Sequence, residues 1–336
     1  MRFRVTQGRS ITGTSQNPIL SVVIPVYFNE GSLEQTATAV RDVLEPLVGS
    51  DGWELIFVDD GSEDGSLDEL RRIQRSDPRH CTIVKLTRNF GQVAAILAGF
   101  HRARGECCVV MSADLQDPPE LIGEMFQRWR TKRSKIVLCT RIEREDSWSV
   151  RLTSRWFYRL MGRYAIKNMP EGGFDFFLLD RVVINHVNRI DEKNTFLQGQ
   201  ILWLGYRPEV IPYKRQRRLV GRSRWSLGKK LKYFVDGFVT YTVAPIRLIT
   251  VAGFAVSILS FSYAGVIVVA KLVWNTPAVG WAPIMVSILM LSGVQLTTLG
   301  ILGEYLWRDY YETRRLPTFV VEETSPCEGA VSTDGA

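Results

Sequence analysis

Two side chains able to hold a hard cation stand two residues apart in Val109-Val-Met-Ser-Ala-Asp-Leu-Gln-Asp-Pro-Pro-Glu120, where an apolar run of strand length ends in acidic and amide groups. In an extended segment Asp114 and Gln116 would both face one cation carrying a diphosphate, since hard cations take carboxylate and amide oxygens. A solvated strand-to-helix turn also needs Asp and Pro, so this stretch alone leaves both readings open. Other apolar runs end in similar groups: Pro25, Tyr27, Asn29 and Glu30; Asp59 and Asp60; Arg88 and Asn89; Arg141. A ring to stack a base, a carboxylate for base or ribose and a carboxylate for a metal suit a nucleoside diphosphate. No Walker loop is present, and no Gly-x-Gly-x-x-Gly follows the first run. Side chains and metal, rather than a glycine cradle, are therefore expected to hold the nucleotide.

The elements that must position these groups follow from patterning. Residues 1–18 are polar and read as a loose tail. Strands are expected at Leu20–Pro25, Glu54–Asp60, Cys81–Leu86, Glu106–Met111 and Lys135–Thr140. Helices are expected from Ser32 toward Val48, from Ser66, over Gln92–Ala103 and over Pro119–Arg130. Ser32 with Gln35, and Ser66 with Glu69, have capping-box spacing. Small residues in the Gln92–Ala103 helix allow close packing on a sheet. Strand and helix alternating five times with short links predict an α/β fold, a mostly parallel sheet covered on both faces. Ligands bind such sheets at the carboxyl ends of the strands, so the scattered polar residues would meet at one edge.

At 336 residues the chain holds one large domain and something smaller. Its net charge of +7 has arginines clustered late, near long apolar segments, which favours anionic lipid or phosphate over nucleic acid. The five cysteines show no paired metal or redox spacing and read as core residues in a reducing compartment. Three scattered histidines form no triad or zinc motif. No apolar leader segment follows Met1-Arg-Phe-Arg-Val, which predicts that the first domain stays in the cytosol.

Val23-Ile-Pro-Val-Tyr27, Val58-Asp-Asp-Gly-Ser62, Arg88-Asn-Phe-Gly91 and Ala113-Asp-Leu-Gln-Asp-Pro-Pro119 occur in that order. Phe174-Asp-Phe-Phe-Leu-Leu-Asp-Arg181, Arg218-Leu-Val-Gly-Arg-Ser-Arg224 and Leu299-Gly-Ile-Leu-Gly-Glu-Tyr305 continue the set. The whole resembles the family 2 glycosyltransferases that charge polyprenyl phosphates. The resemblance implies a GT-A catalytic domain over 19–225, with Mg2+ or Mn2+ held by Asp114 and Gln116. It assigns the nucleotide-sugar to Pro25, Tyr27, Asn29, Glu30, Val58, Asp60, Ser112, Ala113, Asp114, Gln116 and Arg141. Arg218, Ser223 and Arg224 match positions near the acceptor phosphate. Asp114, Asp175, Arg218 and Arg224 are the implied catalytic set. Asp175 either orients the phosphate, acts as a weak base, or is a helix N-cap before Leu178. The sequence departs from the family in three places. Ser112 stands where the usual Asp-x-Asp begins. Phe28-Asn29-Glu30 leaves the family Glu role to either Asn29 or Glu30. Arg224 replaces a frequent Lys.

The spacing becomes helical over 146–166, where Arg151, Arg155, Arg159 and Arg163 form a stripe beside Trp148, Leu152, Trp156, Leu160 and Tyr164. Such a helix suits the headgroup layer of a membrane; a helix packed on the domain with a solvated basic face has the same pattern. A juxtamembrane helix is expected over 226–244. Leu248–Ala270 and Leu272–Gly303 are uncharged and long enough to cross a bilayer, which predicts a transmembrane hairpin over 245–307. Arginines flank its outer ends, so both ends are expected in the cytosol. The tail over 308–336 is expected to be cytosolic, and disordered after Glu322. The resemblance implies a bacterial inner-membrane enzyme of the cell envelope, assembled as a homo-oligomer, with a tetramer suggested. It would move sugar from a UDP- or GDP-sugar to polyprenyl phosphate with inversion. A processive polysaccharide synthase would want more spans, and a membrane scaffold without catalysis is kept open by Ser112.

Overall fold

The computed structural model describes residues 17–141, 170, 173–190, 196–214, 280–314 and 316–327, with scattered residues of 251–273. In chain order the strands are β1 (Leu20–Val26), β2 (Trp53–Asp59), β3 (Cys81–Leu86), β4 (Cys107–Val110), β5 (Ile136–Arg141), β6 (Phe176–Asp180), β7 (Glu209–Tyr213) and β8 (Val321–Ser325). The helices are α1 (Leu33–Val48), α2 (Ser66–Ser76), α3 (Gln92–Arg102), α4 (Leu121–Lys132), α5 (Arg181–Val187), α6 (Leu197–Trp203) and α7 (Trp281–Thr313).

The strands form one sheet in the order β7-β5-β6-β4-β1-β2-β3-β8. β1 runs parallel to β2 and β4, β2 to β3, and β5 to β7; β6 is antiparallel to β4 and β5. Every residue of β2, β4 and β6 is buried, as strands covered on both faces must be. One face packs Leu33, Val40, Leu44, Ile122 and Phe126 of α1 and α4. The other packs Ile96, Phe100, Val183 and Ile201 of α3, α5 and α6. The small residues of α3 do bring helix and sheet together: a Cβ added at Gly99 would meet Val23 Cγ1 at 2.4 Å.

The mostly parallel, doubly covered sheet is as expected, and the structure corrects four details. β6, hidden in the Phe174–Arg181 motif and absent from the five expected strands, lies between β4 and β5. Asp175 is therefore not a helix N-cap: the residues after it are a strand, and Asp180 caps α5 by accepting from Val182 N–H at 3.0 Å. Neither predicted capping box forms. Ser32 Oγ donates to the carbonyls of Asn29 and Ala113, while Glu69 accepts from Gly31 N–H and Glu34 N–H across the α1–α2 interface.

The fourth correction is the tail. Residues 321–325 are the antiparallel edge strand β8 on β3, and Cys327 beyond it is buried. The unpaired edge of β3 offers a row of backbone groups that a returning segment can saturate. Lys85–Glu322 and Arg71–Glu323 ion pairs fix the choice of segment, and Gln74 donates to the Ser325 carbonyl at 2.7 Å.

α7 is 33 residues long, and most of its described apolar side chains, including Ile284, Ile288, Leu291, Leu299 and Leu306, are exposed. Among the described residues no helix is long and apolar enough to cross a membrane, so the expected hairpin is not shown. The basic helix expected at 146–166 and the juxtamembrane helix at 226–244 lie outside the described residues.

Candidate active site

The register puts the chemistry on one edge. β1, β2, β3 and β4 are parallel, and β5 and β7 point the same way because β6 runs against both β4 and β5. The carboxyl ends of β1, β2, β4, β5 and β7 therefore gather with the amino end of β6, just before which Asp175 lies.

On the β1–β3 side the carboxylates are held by backbone. Asp60, 2% exposed, follows β2 and accepts from Phe90 N–H at 2.7 Å and Gly91 N–H at 2.9 Å. The approach depends on Gly61, at φ +70°, where a Cβ would meet the Arg88 carbonyl carbon at 2.6 Å. Burial raises the Asp60 pKa to about 6, against the pull of the two N–H groups. Asp59 is also pushed up by burial; one carboxylate oxygen accepts from Ser62 N–H and the other has no hydrogen-bond partner. Asn29 Oδ1 accepts from Tyr27 N–H at 2.9 Å, while Glu30 Oε2 accepts from Gly65 N–H at 3.0 Å. Both residues named for the family Glu role thus tie the β1 turn down. Phe28, just before them, has φ +56°, a left-handed conformation costing a non-glycine residue about 1 kcal/mol or more. Val58 lies inside the core and Pro25 pairs with it. Arg88 is exposed, over the Phe90 ring at 4.1 Å. An acidic cavity of about 690 Å3 lined by Glu30, Glu34, Asp42 and Arg72 opens between α1 and α2.

The segment after β4 is a tight turn, not the extended stretch that the sequence predicts. Leu115 has φ +54°, and Gln116 N–H donates to Asp114 Oδ1 at 3.3 Å. The Ala113 carbonyl is fixed by the hydroxyls of Ser32 and Thr36. A left-handed leucine between two candidate ligands marks a locally strained loop of the kind found where side chains must be aimed. Asp114 is 4% exposed. A carboxylate and an amide oxygen fit Mg2+ or Mn2+, which accept few protein ligands when phosphate and water complete the shell. No group of three or more His, Cys, Asp or Glu that could hold a metal exists among the described residues. Any ion here relies on bound phosphate.

The β5–β7 side holds side chains by other side chains. Arg141 donates to Asp175 Oδ2 at 2.6 Å, and Gln198 donates to Asp175 Oδ1 at 3.3 Å. Arg141 is also the register partner of Tyr213 where β5 meets β7, and its guanidinium lies near enough to interact with the phenol oxygen. Tyr213 O–H in turn donates to Asp117 Oδ1 at 2.7 Å, and Ser112 donates both N–H (3.1 Å) and Oγ–H (2.6 Å) to Asp117 Oδ2. Burial and the Asp117 carboxylate push the Tyr213 phenol well above its ordinary pKa, so it stays a donor. The sequence pairs neither Asp117 nor Tyr213 with the site. Asp117 passes for part of an Asp-Pro-Pro turn, and Tyr213 lies on a short strand that is not among those expected from patterning. Arg218, Ser223 and Arg224 lie outside the described residues.

Residues 21–187 match the family model Glycosyl transferase family 2. An uncharacterized glycosyltransferase, sll0501, of Synechocystis sp. is 37% identical over 90% of this chain and 95% of its own length. The SfII prophage-derived bactoprenol glucosyl transferase of Shigella flexneri is 31% identical over 91% of this chain and 98% of its own. Among solved structures, glucosyl-3-phosphoglycerate synthase from Mycobacterium tuberculosis, in complex with Mn2+, uridine-diphosphate and glucosyl-3-phosphoglycerate, superposes with a TM-score of 0.46 at 15% identity. That likeness covers 66% of this chain and 80% of the other. With relatives above 30% identity along nearly its whole length, the chain belongs to glycosyltransferase family 2 and is a glycosyltransferase.

Proposed function

We propose that the protein moves a sugar from a nucleoside diphosphate donor to a polyprenyl phosphate, giving a polyprenyl-monophosphate sugar with inverted anomeric configuration. One observation carries the reading: a single sheet edge gathers a buried carboxylate suited to a nucleotide, an oxygen pair suited to a divalent ion, and an arginine–aspartate pair suited to a phosphate. The relatives named bactoprenol glucosyl transferase support the lipid acceptor and point to glucose first.

In this reading Asp60 accepts from the base or ribose, and Tyr27 flanks the base. Asp114 and Gln116 would hold Mg2+ or Mn2+, which would supply charge neutralisation to the departing diphosphate. Arg141, which the resemblance gives to the nucleotide-sugar, is assigned here to the acceptor phosphate because it pairs with Asp175, and it binds those oxygens in a bidentate fork. An acceptor phosphate oxygen forms the new bond to the anomeric carbon as the bond to the diphosphate breaks. A phosphate monoester has its second pKa at about 6, so the nucleophile is already largely anionic at neutral pH. Asp175 then has orientation rather than proton removal as its main task. Arg218, Ser223 and Arg224 are proposed to close over the phosphates.

Membrane attachment belongs to the same proposal. The uncharged runs at 248–270 and 272–303 and the exposed apolar side chains of α7 support it. β8 adds a topological argument: residues 209–213 and 321–325 belong to one sheet, so any crossing between them occurs in pairs. The chain would then sit as a hairpin with the catalytic sheet and both hairpin ends in the cytosol.

The test incubates purified protein with labelled UDP- and GDP-sugars, Mg2+ or Mn2+, and polyprenyl phosphates of several lengths. A lipid-linked monosaccharide, lost in Asp114→Asn, is the expected product. A polymer would instead mean a processive synthase, and no transfer with any donor would leave a membrane scaffold.

A further inference from the structure

The polar chain running from Ser112 to Asp175 has no role in the reading above beyond its last two members. Its hub, Asp117, is fully buried, one residue beyond the candidate ion ligand Gln116, and spends both carboxylate oxygens on protein donors. Tyr213, 5% exposed, stands between that hub and Arg141: its hydroxyl donates to Asp117 and it is Arg141's register partner. Arg141 lies at the register position of Tyr213, so its reach is set where β5 meets β7.

We propose that Asp117 is a positioning residue for the transfer reaction, acting through the Tyr213 hydroxyl to aim the Arg141 guanidinium at the acceptor phosphate, with Ser112 as its partner rather than as an ion ligand. The proposal rests on the assignment of Arg141 and Asp175 to the acceptor side. Its physical basis is that Arg141 has several rotatable bonds and a fork geometry. Without Tyr213 O–H fixed by Asp117, the half-exposed Asp175 is its remaining ion-pair partner among the described residues, and an incoming phosphate competes for that same guanidinium. With the hub in place, Arg141 keeps one partner while it exchanges Asp175 for phosphate. Ser112 fits this arrangement because a hydroxyl donates to Asp117, where an aspartate would place a second anion against it.

Tyr213→Phe and Ser112→Ala are the informative variants, with Asp117→Asn as a third. Loss of a hydrogen bond in a charged network is worth about 10–100-fold. Tyr213→Phe should therefore raise the KM for polyprenyl phosphate by at least about tenfold. Donor affinity, measured by calorimetry with UDP and Mn2+, should stay within about twofold, since the nucleotide side does not use this network. In an Arg141→Ala background Tyr213→Phe should cost almost nothing more, because the two act as one unit. Equal losses in donor and acceptor terms, or additive losses in the double variant, would mean a merely structural tyrosine and overturn the proposal. A second readout needs no turnover: phenylglyoxal labelling followed by peptide mapping. Arg141 should label several-fold faster in Tyr213→Phe, while Arg104, paired with Glu54, should not. If wild type transferred no sugar to lipid, the proposed function would fall, and the labelling ratio alone would decide whether Asp117 and Tyr213 aim Arg141.

Discussion

The two sides of the sheet edge hold their charged groups by opposite means. Around β1 and β2, Asp60 is fixed by backbone N–H groups from the turn after β3, and Asn29 and Glu30 are spent on neighbouring turns. Around β5, β6 and β7, Arg141 and Asp175 hold one another, with Tyr213 and Gln198 as supports. Backbone donors cannot swing away, so the first side is a preformed socket. Side-chain ion pairs can exchange partners, so the second is able to open for an incoming anion. In the proposed reaction, a donor that must be read accurately would meet the rigid side, and an acceptor arriving on a long flexible lipid would meet the adaptable one.

The largest expected effect comes from emptying the adaptable side. Arg141→Ala should lower sugar transfer by about 10²–10³-fold, the usual consequence of removing a phosphate-stabilising donor. Nucleotide affinity, followed by calorimetry, should change by less than about threefold. Equal losses in both would erase the distinction between the two sides. Next, Asp60→Asn keeps one acceptor oxygen but presents an amide N–H2 to a backbone donor. Nucleotide affinity should drop about tenfold, the scale of one mismatched buried hydrogen bond, with the lipid KM unchanged in initial-rate assays.

A pH series sharpens the contrast. Burial raises Asp60 from 3.8 to about 6, so between those values the native state binds more protons than the unfolded chain. The stability it contributes is fully present below about 3.8 and is lost as pH rises through about 6. The melting temperature of ligand-free wild type, relative to Asp60→Asn, should therefore rise on acidification across that window. Nucleotide affinity should fall over the same window, because protonation removes an acceptor. A flat difference in melting temperature would show that the socket does not raise the carboxyl. The smallest effect is reserved for Gln198→Ala, which deletes a long hydrogen bond to the half-exposed Asp175 and should slow transfer by less than about threefold in the same assay.

Much of the socket was legible because its chemistry tracks apolar runs. Each run ended in a polar group, and parallel strands put their carboxyl ends together. Asp60, Asp114 and Arg141 could be placed at that edge from alternation alone. The strand β6 was not legible because Phe176–Asp180 reads equally well as the start of the α5 helix; only the gap between β4 and β5 makes it a strand. The turn at Leu115 was missed for a different reason. A left-handed leucine has no sequence signature, since its cost is met by the surrounding hydrogen bonds to Ala113 and Asp114. Asp117 and Tyr213 lie about a hundred residues apart in the chain, and no local pattern links two residues brought together only by the strand order β7-β5-β6-β4. β8 was misread because Val-Glu-Glu-Thr-Ser is polar and short, and what orders it is the vacant flank of β3 rather than any propensity of its own.

That last strand carries a consequence for biosynthesis. β3 emerges from the ribosome early, yet the segment that covers its flank is made only after the long apolar stretches have been synthesised. At about 5–20 residues per second the nascent sheet waits on the order of ten seconds or more with one margin bare, a state prone to pairing with a neighbouring nascent chain. Closure of the enzyme's sheet is thereby timed to follow the handling of its greasy region, so that a molecule stalled midway through that region cannot complete its own catalytic half.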